Sequence, residues 1–332
     1  MLNEWLDWTL EGAPTSHRQG SLSSGHYTLL APGVLELTPF TYTKNAQACV
    51  FSAAIHGNET APVELVGELL ARIEANVLTL GAPVLVILGN LPALRAGQRF
   101  MTTNLNRLFE RSMSATGHEP ARARELMAQV DAFYARHDTL SPLHYDLHTA
   151  IRDSCYPRFV VEPYADTDTK PHQWRWLAAA DMQAVLHQRG PSDTFSHYSK
   201  HYHGAQAFTF ELGRVAPFGQ NDLASLAPML ELLSALASGQ APAQAPPEQM
   251  AFFRVAHEIR RQSEDFQFYF ADETPNFTAF SPGTLLAHDG KQGDIRVLEA
   301  PLHVVFPNAN VDIGARAGLL VTSSAAPHND NQ

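Results

Sequence analysis

Residues 48–77 read ACVFSAAIHGNETAPVELVGELLARIEANV. An apolar run of strand length, 48–55, gives way at His56 to a short polar turn. From Pro62 the pattern changes: Leu and Val recur at three and four spacing with charges opposite, which predicts an amphipathic helix over 62–77. Thr60 suits its N-cap and Pro62 its first turn. A strand that is apolar throughout is a strand buried on both faces, and a helix following it directly is the mark of an α/β sheet.

The same grammar repeats along the chain. PVLVILGN (83–90), YDLHTA (145–150), RFVVEPY (158–164) and AQAFTFEL (205–212) read as further strands. EPARARELMAQVDAFYARH (119–137) and DLASLAPMLELLSAL (222–236) read as further helices. The expected fold is α/β, with helices on either side of a sheet. SGQAPAQAPPEQM (238–250) has three prolines and little apolar bulk, and reads as a linker. Beyond it come short strand-like pieces such as FFRVAHEI, FQFYFA, HVVFPN and GLLVTSS, punctuated by Gly, Asn, Asp and Pro. They predict two units: a catalytic domain over 1–240 and a smaller β-rich domain over 250–325. The end, AAPHNDNQ, is expected to be loosely ordered.

Composition narrows the function. The chain has 332 residues, 45% hydrophobic and 17% charged, and carries a formal net charge of −11. With no dense Lys/Arg run, no nucleic-acid partner is expected. A small anionic substrate is compatible, because a pocket can be locally positive on an acidic protein. Two cysteines, Cys49 and Cys155, are no disulfide framework and fit a reducing compartment. The acidic, interrupted start has no signal-peptide pattern, and no apolar stretch reaches the roughly 18 residues of a membrane span. The expected location is the cytoplasm; nothing in the sequence specifies an oligomeric state.

No G-x-G-x-x-G, Walker loop, G-x-S-x-G or H-E-x-x-H is present, which weakens nucleotide-binding and serine-hydrolase readings. What remains is a set of polar residues at strand ends. His56 follows FSAAI, and Glu59 comes three residues later, past a tight turn at Gly57. His148 lies in HYDLH, and Glu211 ends AFTF. Sites in open α/β sheets form beyond the carboxyl ends of strands, where these four can meet. Two neutral imidazoles and a carboxylate leave a fourth position open on zinc, as catalytic sites require. A separate carboxylate must then move a proton from water to the leaving nitrogen, a role that suits Glu211. Asp146, two residues before His148, is placed to orient it. Blander readings stand beside these: Glu59 as a first-turn helix acid, His148 as a core histidine, Glu211 paired with Arg214.

Two more segments carry candidates. HYSKHYHG offers His197, His201 and His203, and its interleaved Tyr, Ser and Lys favour a mobile or substrate-facing loop over a metal site. RFMTTNLNRLFE (99–110) holds Arg99, Asn106 and Arg107. Guanidinium forks there suit carboxylates, and Arg107 suits polarising a scissile carbonyl.

With HGNE, NLNRLF, DLHTAIR and FTFELG in view, the chain resembles the zinc carboxypeptidase-like amidohydrolases, in the branch holding aspartoacylase and succinylglutamate desuccinylase. The resemblance covers most of the chain, including FADETPNFTAFSPGTLLAHDG and VVFPNANVDIGARAGLL. It implies a zinc-carboxypeptidase-like mixed sheet flanked by helices, one Zn2+ per subunit on His56, Glu59 and His148, and Glu211 as general base. It also implies that Arg99, Asn106 and Arg107 contact substrate. TAIR, with Arg152, looks more like the desuccinylase side and implies Arg152 as a further substrate contact. The activity implied is hydrolysis of N-succinyl-L-glutamate, as the last step of the arginine succinyltransferase route. Hydrolysis of another N-acyl amino acid and a metallocarboxypeptidase are the alternatives. A non-catalytic acyl-amino-acid binding module fits least, since it needs neither zinc nor Glu211.

Overall fold

The strands expected up to residue 212 form, and they share one sheet with others. In chain order they are β1 (Gly25–Ala31), β2 (Val34–Pro39), β3 (Ala48–Ala53), β4 (Val84–Leu88), β5 (Pro142–Ala150), β6 (Arg158–Glu162), β7 (Ala184–His187), β8 (Gln206–Arg214), β9 (Ala251–Arg260) and β10 (Arg316–Ser324). The helices around them are α1 (Ala61–Glu74), α2 (Leu91–Ala96), α3 (His118–Arg136), α4 (Pro171–Ala179), α5 (Phe195–His203) and α6 (Ala227–Ala237). This computed structural model describes residues 2–13 and 15–326, so most of the chain end expected to be loose lies outside the described residues.

The sheet is mixed. β3 pairs in parallel with β4 and β5, and β5 in parallel with β8. β6 runs antiparallel to β8 and parallel to β7. β3, β4, β5 and β8 lie in the middle with buried residues on both faces, which is why their sequences are near-continuous apolar runs. On one face Val66, Leu69, Leu70 and Ile73 of α1 pack with Trp174, Leu177, Leu233 and Leu236 against Phe51, Leu143 and Tyr145. On the other face Leu126, Val130 and Phe133 of α3 pack with Phe195 and Tyr198 against Val50, Leu85 and Ile87. No helix among the described residues is long and apolar enough to cross a membrane.

The sheet does not stop at the proline-rich segment. β9 pairs in parallel with β7, from Ala251↔Ala184 to Arg254↔His187, and β10 pairs antiparallel with β9. Phe159 and Leu186 share a core cluster with Phe253, Val255, Leu319 and Val321. The segment itself is tied down: Thr43 Oγ1 donates to Gly239 O (2.6 Å), and Ala245 N to Arg175 O (3.0 Å). A small three-stranded sheet of Gln267–Phe268, Leu285–Asp289 and Gly293–Arg296 completes the β-rich end.

Two local expectations are corrected. Thr60 precedes α1 but does not cap it with its side chain; its hydroxyl donates to Ala216 O (2.6 Å) and holds the chain after β8. The stretch read as a loop, HYSKHYHG, is helix α5 together with its left-handed C-terminal Gly204. The polar letters conceal an inner face: Tyr198, Ser199 and Lys200 are buried, and the Lys200 ammonium is neutralised by Glu162 (3.0 Å).

Candidate metal centre and active site

Parallel pairing of β3, β5 and β8 brings their carboxyl ends side by side. His148 and Glu211 are direct cross-strand partners, and Ser52 partners Asp146. Past β3 the chain turns sharply, with Ala54 in the left-handed region (φ 51°). Gly57 then runs so close to α2 that a Cβ would lie 2.1 Å from the Ala93 carbonyl carbon. Only glycine permits that approach, and it delivers His56 and Glu59 to the strand ends.

Among the described residues, ligand atoms of His56, Glu59 and His148 lie within 4.8 Å of one another. All three side chains are buried. His56 Nδ1 lies 2.8 Å from Glu59 Oε1, and His148 Nδ1 lies 2.8 Å from Glu59 Oε2. The opposite ring nitrogens are anchored outward, His56 Nε2 to Asn104 Oδ1 (3.0 Å) and His148 Nε2 to Asp146 Oδ2 (3.0 Å). Two Nδ1 atoms turned inward on a carboxylate, each ring held from behind, are a donor set that fits a divalent ion such as zinc.

Burial and mutual charge shift every group of this cluster. Burial, helped by Arg99 and His148, holds the His56 ring down to about 4, so it is neutral. Burial also opposes charge on His148, but the Asp146 and Glu59 carboxylates outweigh it and hold that ring well above its usual value. Burial would raise Glu59, yet the two imidazoles keep it well below the carboxylate range. Burial first, and the Glu59 charge second, push Glu211 up to about 8. Its Oε2 is buried with no hydrogen-bond partner. Arg214, the partner expected on the blander reading, instead reaches towards Asp153 (3.5 Å).

Arg99 Nη1 donates to Glu59 Oε1 (2.7 Å) and so braces a candidate ligand directly. Asn106 accepts from Phe195 N (3.0 Å) at the start of α5 and sets its amide nitrogen 3.4 Å from His148 Nε2. Arg107 gives one bond to Asn106 O (2.7 Å) and donates to no carboxylate among the described residues. Burial first, then the nearby Arg316 and Arg99, pull it down to about 10. Arg152 bonds elsewhere among the described residues. Its guanidinium is spent on backbone carbonyls of the C-terminal part, donating to Asp272 O (2.6 Å), Thr274 O (3.2 Å) and Pro307 O. Among the described residues these bonds make Arg152 a clamp on the C-terminal part, and none of them supports the expected substrate contact. His197 and His201 stack on each other in α5 (5.4 Å between rings).

Sequence reasoning missed Asn104 and Arg316. Asn104 stood in view two residues before Asn106, but only its contact with His56 gives it a role. Arg316 opens β10 and reaches Arg107 electrostatically across more than 200 positions of chain, a proximity that no local pattern signals.

Residues 45–237 match the Succinylglutamate desuccinylase/Aspartoacylase catalytic domain, and residues 248–324 match the AstE/AspA barrel-sandwich hybrid domain. The chain belongs to the succinylglutamate desuccinylase/aspartoacylase family. It is 38% identical over 322 residues to a succinylglutamate desuccinylase of Yersinia pseudotuberculosis serotype O:3, covering 96% of each chain. It is 39% identical over 321 residues to the Yersinia enterocolitica serotype O:8 / biotype 1B protein of the same name, again covering 96% of each. Among solved structures, the family member from Vibrio parahaemolyticus superposes with a TM-score of 0.90 at 34% identity, over 98% of this chain and 96% of that one. The Chromobacterium violaceum succinylglutamate desuccinylase gives 0.87 at 33% identity, over 98% of both.

Proposed function

We propose that the chain is a zinc-dependent amidohydrolase that splits N-succinyl-L-glutamate into succinate and L-glutamate. The observation that carries the reading is the convergence of His56, Glu59 and His148 beside a buried Glu211 oxygen that nothing else engages. The names of relatives at 38% and 39% identity over nearly full length supply the substrate. One zinc ion per subunit would be held by His56, Glu59 and His148. When bound, it supplies a Lewis acid that polarises the amide carbonyl and makes water a stronger nucleophile at neutral pH.

The chain's own residues do the rest. Glu211 takes a proton from the attacking water as the new C–O bond forms at the succinyl carbonyl. It returns that proton to the glutamate nitrogen as the C–N bond breaks. Arg107 and Arg316, two cations that donate to no carboxylate among the described residues, suit a substrate with three carboxylates and a charge of about −3 at neutral pH. Asn106 lies beside the edge of His148, where its amide can meet substrate. On this reading residues 1–240 form the catalytic unit, while 250–325 complete the pocket through Arg316. The reaction would close an arginine succinyltransferase route in the cytoplasm.

The test is hydrolysis of N-succinylglutamate against N-acetylaspartate, with and without a chelator. Turnover of the first substrate should dominate and vanish on chelation. Preference for N-acetylaspartate would move the chain to the aspartoacylase side of the family. Unchanged turnover in chelator would remove the metal.

A further inference from the structure

Beneath His148 runs a line of buried polar side chains that the reaction does not touch. β5 places His144, Asp146 and His148 on one face by its alternation of two, and Ser52 of β3 lies opposite Asp146. This is the face that packs on α5, where His144 meets the edge of Phe195 (4.7 Å, 90°). Ser52, His144, Asp146 and Ser199 are each completely buried. A row of polar groups in such a place is costly unless every donor finds an acceptor.

Here each does, and in one arrangement only. Ser52 Oγ donates to Asp146 Oδ1 (2.5 Å), and His148 Nε2 lies 3.0 Å from Asp146 Oδ2. An ionised carboxylate only accepts, so His148 carries its proton on Nε2. Ser52 has given its single proton away, so the His144 Nε2 at 2.8 Å must be the donor to it. A neutral His144 then has a lone pair on Nδ1, and Ser199 Oγ at 2.7 Å supplies the proton. Tyr134 also neighbours Ser199, but it donates its own proton to Leu143 O (3.0 Å). If Ser199 turned its proton to Tyr134, two lone pairs would face each other across 2.7 Å.

We infer that Ser199, His144 and Ser52 form a one-way hydrogen-bond relay that, through Asp146, fixes the tautomer and orientation of His148 and so presents its Nδ1 for metal binding. They are positioning residues: none reaches the metal ligands except through Asp146. The relay rests on the metal reading of His148, and goes beyond it by extending control of the ligand two layers into the sheet. Partners directly behind a ligating histidine are typically worth about 10–100-fold in metal affinity. Ser52→Ala strips one of two acceptor bonds from Asp146 and should weaken zinc binding about tenfold.

Two measurements on the full chain test this. The first is zinc affinity by chelator competition for wild type, Ser52→Ala, Asp146→Asn and the double variant. Because Ser52 acts through Asp146, the double variant should bind zinc no more weakly than Asp146→Asn alone. Wild-type affinity in Ser52→Ala, or fully additive losses, would overturn the relay and leave the metal site standing. Wild-type protein that takes up no zinc would overturn both. The second needs no substitution, so no folding defect can mask it: 15N NMR of the histidine rings in the zinc-loaded wild type. His144 and His148 should both show protonated Nε2 and bare Nδ1. A His144 protonated at Nδ1 overturns the relay.

Discussion

Glu211 lies near the carboxyl end of β8, and both its burial and the Glu59 charge work against its ionised form, up to about 8. His148 is held in its charged form by Asp146 and Glu59. Both environments favour the protonated form, and a cation held by His56, Glu59 and His148 would have to displace the proton on His148 Nδ1, because a ligating imidazole is neutral. Zinc uptake at about pH 7 should therefore release about one proton or more per ion. Calorimetry in buffers of different ionisation heat reads this directly; a binding heat independent of buffer would contradict it. Removing the base without removing a ligand separates the two roles. Glu211→Gln should keep zinc stoichiometry and lose about 10²–10⁴-fold in kcat, the range for general acid–base catalysis. Near wild-type turnover would end the assignment.

Where elements meet, one half-buried ion cluster joins three of them. Glu162 of β6 accepts from His187 of β7 and from Lys200 of α5 (3.0 Å), and Lys200 also donates to Thr169 (2.7 Å). Burial would raise the Glu162 carboxyl, but the His187 hydrogen bond and the Lys200 charge outweigh it and bring it to about 2 from an ordinary 4.5. The folded state thus binds fewer protons than the unfolded one. The contribution to stability is complete above about 4.5 and is lost as pH falls towards about 2. Glu162→Gln should be less stable than wild type at pH 7, with the gap closing over that acid window. Urea denaturation at the two ends of it is the check, and a gap independent of pH would remove Glu162 as its source. The cluster also explains why HYSKHYHG misled: Lys200 reads as solvated, but a lysine buried against a carboxylate and the Phe208 ring (5.7 Å) is an inward residue of a helix.

Across the whole molecule, the β-rich end is attached rather than appended. The β7–β9 pairing and the shared aromatic core carry the sheet through it, and Arg152 clips its loops to the end of β5. Arg152→Ala should lower the thermal midpoint by a few degrees and expose residues 250–325 to proteolysis, while zinc affinity and the preference between N-succinylglutamate and N-acetylaspartate stay unchanged. A selective loss of N-succinylglutamate hydrolysis would return Arg152 to the substrate pocket. On the proposed reading Arg316 depends on this attachment, since a cation near Arg107 serves substrate only if the two parts are held in register.

The sequence by itself determined the class of fold, because strands buried on both faces must be apolar throughout and helices covering them must carry a three-and-four stripe. It also set out His56, Glu59, His148 and Glu211, since polar residues ending apolar runs stand out in one dimension. Tertiary structure alone decided how each guanidinium is engaged. Arg99, Arg107, Arg152 and Arg316 are chemically identical letters, and only packing separates a clamp on carbonyls from a cation held without a carboxylate. It likewise decided that Ser52, His144 and Ser199 stand in line behind a ligand. They come from two strands and a helix, and a hydrogen bond depends on angstroms in space, not on distance along the chain.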